Sequence, residues 1–378
     1  MIRKSVSVAI IGSTGSIGTQ SLDTISRLNK NGFDFKIIGL SARNNLELKG
    51  QISAYKPLAY SFGEMLNDAE KTCKYFENPS DMIEYLKPDY TIIASSGGES
   101  LNYTIAAIKA SQRVCLANKE SLVLAGKLVQ SQSKKSNTEI IPVDSEHSAI
   151  FQLLECEDKN NIEKIIITAS GGALRDFSAD RIEDASVEDV LNHPTWSMGK
   201  KITVDSASLF NKGLEIIEAH HLFGVTASEI DIMMSRNSYI HSLVKFKDGT
   251  FKIHAGKPDM RIPISYSLTY PLRMNIFEGN MYSEINSDLL TLEKVDLTKF
   301  PAPKLALDII SESISTHIAY NASNEVAVDL FLNRKIPFGK IYKIVFESVE
   351  KVEKFNPDSI KDILKLHDKI KSEIYNRF

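Results

Sequence analysis

The sequence predicts an α/β protein, with a doubly wound domain first, an α+β domain next and a C-terminal helical bundle. Three observations predict this. Short β-branched runs alternate with longer amphipathic runs through the first 150 residues, the pattern of a parallel sheet with helices on both faces. The middle is loop-rich and carries a hairpin signal at Asp248-Gly249. From residue 305 onward the apolar spacing is helical.

The elements follow in order. Val6–Ile11 reads as a strand, followed by glycines and a helix over 17–28. Strands at 35–40, 58–61, 90–94, 114–117 and 140–143 alternate with helices at 46–54, 101–110 and 121–130. The doubly wound domain is set at 1–150. Residues 151–273 form the α+β domain, with a helix over 148–154 leading in. A strand over 164–169, a helix over 208–222, strands at 230–234 and 240–246 and the hairpin follow. Residues 274–303 read as a linker and 304–378 as the bundle, with helices at 305–314, 322–333, 338–354 and 359–375.

Composition bounds the class. A length of 378 residues suits two or three domains at roughly 150 residues each. Hydrophobic residues at 43% and charged residues at 25% are ordinary for a globular chain, so disordered, collagen-like and coiled-coil classes fit poorly. A net charge of −3 argues against a nucleic-acid protein. Cys73, Cys115 and Cys156 are odd in number, far apart and without a CxxC pair, which points to a reducing cytosol rather than a zinc or disulfide scaffold. No apolar run approaches a membrane span, and the first strand starts too early for a leader peptide before it. A cytoplasmic protein with no membrane or nucleic-acid partner is expected.

Two segments carry chemistry on their own residues. Gly12, Gly15 and Gly18 join the first strand to the first helix. They permit a tight turn and close approach to a pyrophosphate, which the helix N-terminus can hold. The spacing is GxxGxxG, so an ordinary glycine-rich turn stays open. After the second strand there is no carboxylate for ribose hydroxyls; Arg43, Asn44 and Asn45 stand there instead and favour NADP(H) over NAD. A solvated arginine is the plain alternative. Asp144 and Glu146 follow a strand at i and i+2, which puts both carboxylates on one side at the sheet's carboxyl end. Oxygen ligands without Cys or His suit Mg²⁺ or Mn²⁺. Ser206, Asn211 and Lys212 supply phosphate donors. Glu215 lies at i+4 from Asn211 and i+3 from Lys212, so all three share a helix face; a simple salt bridge is the plain reading of the last pair.

The chain resembles the 1-deoxy-D-xylulose 5-phosphate reductoisomerase family. The resemblance rests on GSTGSIGTQSLD (12–23), LANKESLV (116–123), PVDSEHSAIFQ (142–152), ASGGALRD (169–176), HPTWSMGKKITVDSASLFNKGLEIIEAHHLF (193–223) and GKPDMRIPI (256–264). It implies an NADPH- and divalent-metal-dependent enzyme that rearranges and reduces 1-deoxy-D-xylulose 5-phosphate to 2-C-methyl-D-erythritol 4-phosphate, and a homodimer. It implies that Thr14, Gly15, Ser16 and Ile17 line the pyrophosphate, and that Arg43, Asn44 and Asn45 surround the 2′-phosphate and ribose. Asn118, Glu120 and Gly199 match cofactor contacts. Asp144, Glu146 and Glu215 match the metal carboxylates. Lys119, Ser145, Glu146, Ser170, His193, Ser206, Asn211, Lys212 and Glu215 match the substrate shell, and Lys119 and Glu146 handle protons. Trp196 and Met198 fall on a lid loop near 193–199. Ala42 stands where the family usually has Gly, and the 94–100 stretch is more polar than usual. Two other readings are a semialdehyde or homoserine dehydrogenase relative and a non-catalytic NADP-binding regulator.

Overall fold

A computed structural model describes residues 5–66, 73–196, 198–277 and 287–378. Along the chain run β1 (Val6–Ile11), α1 (Ser16–Lys30), β2 (Phe35–Ser41), α2 (Glu47–Tyr55), β3 (Ala59–Ser61) and β4 (Lys74–Phe76). Then come α3 (Pro79–Leu86), β5 (Tyr90–Ile93), α4 (Ser100–Ala110), β6 (Arg113–Leu116), α5 (Glu120–Ser136), β7 (Glu139–Pro142) and α6 (Ser145–Leu153). Next are β8 (Ile162–Ala169), α7 (Ala179–Glu183), α8 (Val187–Leu191), α9 (Lys200–Ala207), α10 (Phe210–Phe223), β9 (Ile230–Met234), β10 (Ile240–Phe246) and β11 (Phe251–Ala255). The chain finishes with α11 (Arg261–Thr269), β12 (Glu293–Lys294), α12 (Ala302–Ile309), α13 (Ile314–Leu332), α14 (Lys340–Lys351) and α15 (Ile360–Tyr375).

The chain packs as two compact units. The first comprises residues 1–118, 127–148 and 259–284; the second comprises 119–126, 149–258 and 285–378. The block boundaries read from the sequence at 150, 273 and 303 are therefore not the boundaries of packing. Part of the expected 274–303 linker, residues 278–286, lies outside the described residues.

In the first unit a seven-stranded sheet has the order β4-β3-β2-β1-β5-β6-β7, parallel throughout. The order reverses at β1, where the chain leaves one side of the sheet and returns at β5 on the other. That is the place where doubly wound sheets bind ligands. β4 and α3 were not read from the sequence; β4 is three residues long and too short for a periodic signal. Buried apolar residues of β1, α1 and β2, among them Val8, Ile10, Leu22, Ile25 and Leu40, form one core with Ile264 and Leu268 of α11 and with Ile276. The sequence places residues 259–273 in the middle domain and 274–277 in the linker. This segment joins the first unit because its apolar face covers the sheet. Arg113 Nη1 donates to the carbonyls of Ser267 and Leu268 at 3.2 and 3.4 Å, and its charge meets Glu139 at 2.7 Å.

The second unit holds a five-stranded mixed sheet, β11-β10-β8-β9-β12, with only β8 and β9 parallel. α13 is buried along nearly its whole length. A helix buried all round must be the centre of its bundle, and α14 and α15 pack against it. Phe210 of α10 stacks on Tyr342 and tilts against Tyr320, with centroids 5.5 and 5.4 Å apart. Gly213 makes room for Tyr320: an added Cβ would sit 1.8 Å from its hydroxyl.

Candidate functional site

Functional side chains fall in both units, and each set is built separately. In the first unit the turn after β1 is held by β2. Gly12 and Ser13 donate their backbone N–H groups to the Ser41 carbonyl at 3.1 and 2.8 Å. Gln51 clasps Ser13 through both its amide oxygen and its amide nitrogen, at 2.6 and 3.0 Å. Gly12 has φ +85, and a Cβ on it would lie 2.8 Å from the Ser95 nitrogen. A Cβ on Gly18 would lie 2.2 Å from the Gly12 carbonyl. Glycine is therefore required at both ends of the turn. α1 starts from Gly15 with no side-chain cap and no acidic residue in its first turn. The positive end of the helix dipole therefore meets no acidic side chain of its own first turn, as suits an anion, while the Gly15 N–H is taken within the turn by the Gly12 carbonyl at 3.1 Å.

Arg43, Asn44 and Asn45 lie in the exposed loop after β2. Arg43 Nη2 sits 3.4 Å from Glu99, and both side chains are mostly exposed. Asn45 turns toward α2 instead: its Oδ1 accepts the Glu47 N–H at 3.0 Å. Asn118 is buried and donates to the carbonyls of Ser95 and Gly97 at 3.1 and 3.3 Å, tying the loops after β5 and β6 together. Asp144, Ser145 and Glu146 are half-buried. The expected i, i+2 strand geometry does not hold for the two carboxylates. β7 ends at Pro142, and Glu146 lies in the first turn of α6, where its carboxylate accepts the Ser145 hydroxyl. Acidic residues favour a helix's first turn because of the dipole, which pulls the helix start forward from 148.

The second unit carries a denser polar cluster. The helix expected over 208–222 is α10, starting at Phe210; α9 precedes it outside the predicted elements, and Leu209, in the left-handed region at φ +57, separates the two. On α10, Glu215 is 1% exposed and Lys212 3%. Lys119 Nζ donates to Asn211 Oδ1 at 2.8 Å and to Glu215 Oε1 at 3.0 Å. The Asn211 amide and the Lys212 ammonium also donate to the Glu215 carboxylate. One buried anion is thus held by two cations and an amide, which satisfies the cost of burying it.

Beside it, Ser170, His193 and Ser206 form a triangle. His193 Nε2 lies 3.1 Å from Ser170 Oγ and 3.2 Å from Ser206 Oγ. His193 Nδ1 accepts the N–H groups of Thr195 and Trp196 at 3.1 and 2.9 Å. Two donors on Nδ1 place the ring proton on Nε2, which then donates to a serine oxygen. Burial, and then the Arg175 charge, lower the His193 pKa to about 4, so the ring is neutral at pH 7. Gly171 and Gly172, at φ +81 and +63, shape the Ser170 loop. Arg175 braces it by donating to the carbonyls of Ser170 and Arg236 at 2.9 and 2.8 Å. Trp196 donates its indole N–H to Ser238 at 3.2 Å, and Met198 is half-buried nearby in the chain. Ser197, within the expected lid loop, lies outside the described residues. Gly199 is the exposed cap of α9.

Some residues of this cluster escaped the sequence reading. Lys201 bridges Asp205 at 2.8 Å and Glu120 at 3.6 Å, and Asn324 of α13 donates to Asp205 at 2.8 Å. The i, i+4 spacing of Lys201 and Asp205 was visible, but no helix was placed there. Nothing local marks Asn324.

A doubly wound sheet with a glycine turn at its switch point, together with a buried Lys–Glu cluster and a serine–histidine triangle, defines a two-unit nucleotide-binding α/β enzyme. Comparison with known proteins narrows this. Residues 8–126 match the family described as 1-deoxy-D-xylulose 5-phosphate reductoisomerase, and residues 140–223 and 255–373 match its two C-terminal domains. The 1-deoxy-D-xylulose 5-phosphate reductoisomerase of Thermotoga neapolitana is 41% identical over 96% of this chain and 94% of its own; that of Thermoanaerobacter sp. is 38% identical over 98% and 99%. A crystal structure of DOX-P reductoisomerase in complex with NADPH, fosmidomycin and magnesium superposes with a TM-score of 0.87 at 32% identity, covering 97% of each chain. The Zymomonas mobilis enzyme in complex with NADPH gives 0.85 at 33% identity over 98% of each chain. The chain belongs to the 1-deoxy-D-xylulose 5-phosphate reductoisomerase family. It is an oxidoreductase that rearranges and reduces 1-deoxy-D-xylulose 5-phosphate, and the dehydrogenase and regulator readings are set aside. Among the described residues no helix is long and apolar enough to cross a membrane.

Proposed function

We propose that the chain converts 1-deoxy-D-xylulose 5-phosphate to 2-C-methyl-D-erythritol 4-phosphate with NADPH and one divalent cation, Mg²⁺ or Mn²⁺, using the residues above in defined roles. The observation that carries the reading is the buried Glu215 carboxylate held by Lys119, Asn211 and Lys212. Thr14, Gly15, Ser16 and Ile17 line the cofactor pyrophosphate at the N-terminus of α1. Arg43, freed from its exposed partner Glu99, takes the 2′-phosphate with Asn44. Asn45 has a weaker claim, since its side chain starts α2. Asn118, Glu120 and Gly199 complete the cofactor contacts.

Asp144, Glu146 and Glu215 hold the cation; their hard carboxylate oxygens suit Mg²⁺ or Mn²⁺. When bound, the cation polarises a carbonyl and favours ionisation of a neighbouring hydroxyl, and NADPH supplies the hydride. Ser145, Ser170, neutral His193, Ser206, Asn211 and Lys212 bind the sugar phosphate. His193 donates through Nε2–H and does not titrate near neutrality. Lys119, next to Glu215, and Glu146 move protons at the reacting carbon skeleton. Trp196 and Met198 close as a lid that excludes water.

The enzyme acts as a cytoplasmic homodimer. Phe251 and Ile253, each 51% exposed on the edge strand β11, support a self-association surface. The test is one assay: protein, substrate and NADPH, with Mg²⁺ or Mn²⁺ added or chelated. Loss of NADPH absorbance that depends on the metal is expected. Equal rates after chelation would overturn the metal role of the three carboxylates.

A further inference from the structure

Lys201 is not among the residues that touch substrate or cofactor in the reading above. Its surroundings are nevertheless unusual. The ammonium lies 2.8 Å from Asp205 and 3.6 Å from Glu120, whose side chains are only 2% and 7% exposed. Asp205 is one helical turn on along α9, so the i, i+4 pair holds the lysine against its own helix and directs its tip toward Glu120. Glu120 opens α5, a separate segment. The second Asp205 oxygen is taken by the Asn324 amide of the central helix α13 at 2.8 Å. Burial alone would lower the lysine's pKa, but the carboxylates of Asp205, Glu120 and Glu325 outweigh it and keep the group charged. A pair serving only to hold α9 in place would need one carboxylate. Here one cation is shared by two, from two segments.

Each of those carboxylates is next in sequence to a residue placed against the substrate. Lys119 precedes Glu120, and its amine reaches Asn211 and Glu215. Ser206 follows Asp205 and meets His193. We propose that Lys201 is a positioning residue: by tying Glu120 to Asp205 it holds Lys119 and Ser206 in one frame for the sugar phosphate. The inference rests on the substrate roles given above to Lys119 and Ser206. Its leverage is geometric, because a misplacement of about 1 Å at a reacting group can cost about 10²-fold.

The experiment compares K201M, K201M/D205N, K201R and S206A in the full-length enzyme. KM for 1-deoxy-D-xylulose 5-phosphate and kcat are measured at saturating NADPH and metal, with thermal melting as a check on folding. K201M removes the cation shared by two buried carboxylates and is expected to melt lower; K201M/D205N removes one of those charges. Both should raise KM about tenfold or more, since a misaligned frame weakens substrate binding. K201R, which keeps the charge, should recover most of that loss. A folded K201M/D205N enzyme with unchanged KM, its loss confined to melting temperature and active fraction, would reduce Lys201 to a structural ion pair. S206A separates the premise from the inference. Raised KM in S206A with unchanged KM in K201M/D205N overturns the cross-tie alone. Unchanged KM in S206A overturns the substrate reading, and the cross-tie with it.

Discussion

The glycine turn of the first unit and the polar cluster of the second are built in opposite ways. The turn is shaped by its backbone. Its path is fixed by Gly12 and Gly18, and the nearby Arg43 is 82% exposed, with most of its ion-pair partner Glu99 exposed too. The cluster is made of buried side chains, two ammonium groups paired with one carboxylate. Lys119, Lys212 and Glu215 are each 9% exposed or less. The difference teaches where substitution acts. In the turn, shape is sensitive and charge is cheap, because exposed ion pairs contribute little. In the cluster every charge removed breaks a buried ion pair.

The largest effect is expected in the cluster. Glu215→Gln strips the shared counter-charge from two buried ammonium groups. It should destabilise the fold by about 3–5 kcal/mol, the cost of breaking a buried pair. It should also lower kcat by about 10²–10³, as loss of an organised electrostatic partner does. Calorimetry and initial rates of NADPH oxidation measure both. Near wild-type turnover at limiting metal would remove Glu215 from the site and erase the contrast.

Gly18→Ala comes next. The new methyl would meet the Gly12 carbonyl at 2.2 Å, so the turn must move. KM for NADPH should rise by a factor of order ten to a hundred, the cost of misplacing a binding group by a fraction of an ångström to 1 Å. Binding of the sugar phosphate should be little changed. An unaltered NADPH KM would mean that the turn does not cradle the cofactor.

Arg43→Ala is smaller and selective. A lost charge-assisted hydrogen bond is worth about 1.5–3 kcal/mol, so NADPH should weaken by roughly ten- to a hundredfold. NADH, which lacks the 2′-phosphate, should bind as before. Equal weakening of both would show that Arg43 does not read that phosphate.

The mildest effect is one of pH on stability. Burial lowers the His193 and His241 pKa values from 6.5 to about 4. Between those values the unfolded chain takes up protons that the folded chain refuses. Stability is therefore full above pH 6.5 and falls as pH drops towards 4. Melting temperatures at pH 7.5, 6 and 5 should trace this loss, and His193→Asn should flatten part of it. A melting curve as steep in the variant as in the wild type would exclude His193 from the linkage.

Legibility in the sequence divided along the same line as the chemistry. The glycine turn could be read because its parts are local: strand, glycines and helix start lie within thirteen residues, β1 to Gly18. The Asn211–Lys212–Glu215 face was legible for the same reason, since helical spacing alone puts the three together. The Asp144–Glu146 geometry was misread because the strand stops at Pro142 and a helix begins at Ser145. Dipole and propensity favour that helix start only weakly, and local pattern could not place it. The helix over 208–222 matches α10, but α9 before it lies outside the predicted elements, and the break between them rests on Leu209 in a left-handed conformation, which has no sequence signature.

By itself, then, the sequence determined the α/β class, the glycine turn after β1 and the shared helix face of Asn211, Lys212 and Glu215, all of which follow from periodicity and from contacts close along the chain. Tertiary structure alone decided three things. It placed α11 on the first sheet, where burial of Ile264 and Leu268 outweighs their position in the chain. It set Lys119 on Glu215 across ninety-six residues. It tied Asp205 to Asn324 across one hundred and nineteen. The physical reason is common to all three. Burial, and the pairing that burial demands of every polar group, act between residues near in space, and separation along the chain carries no record of them.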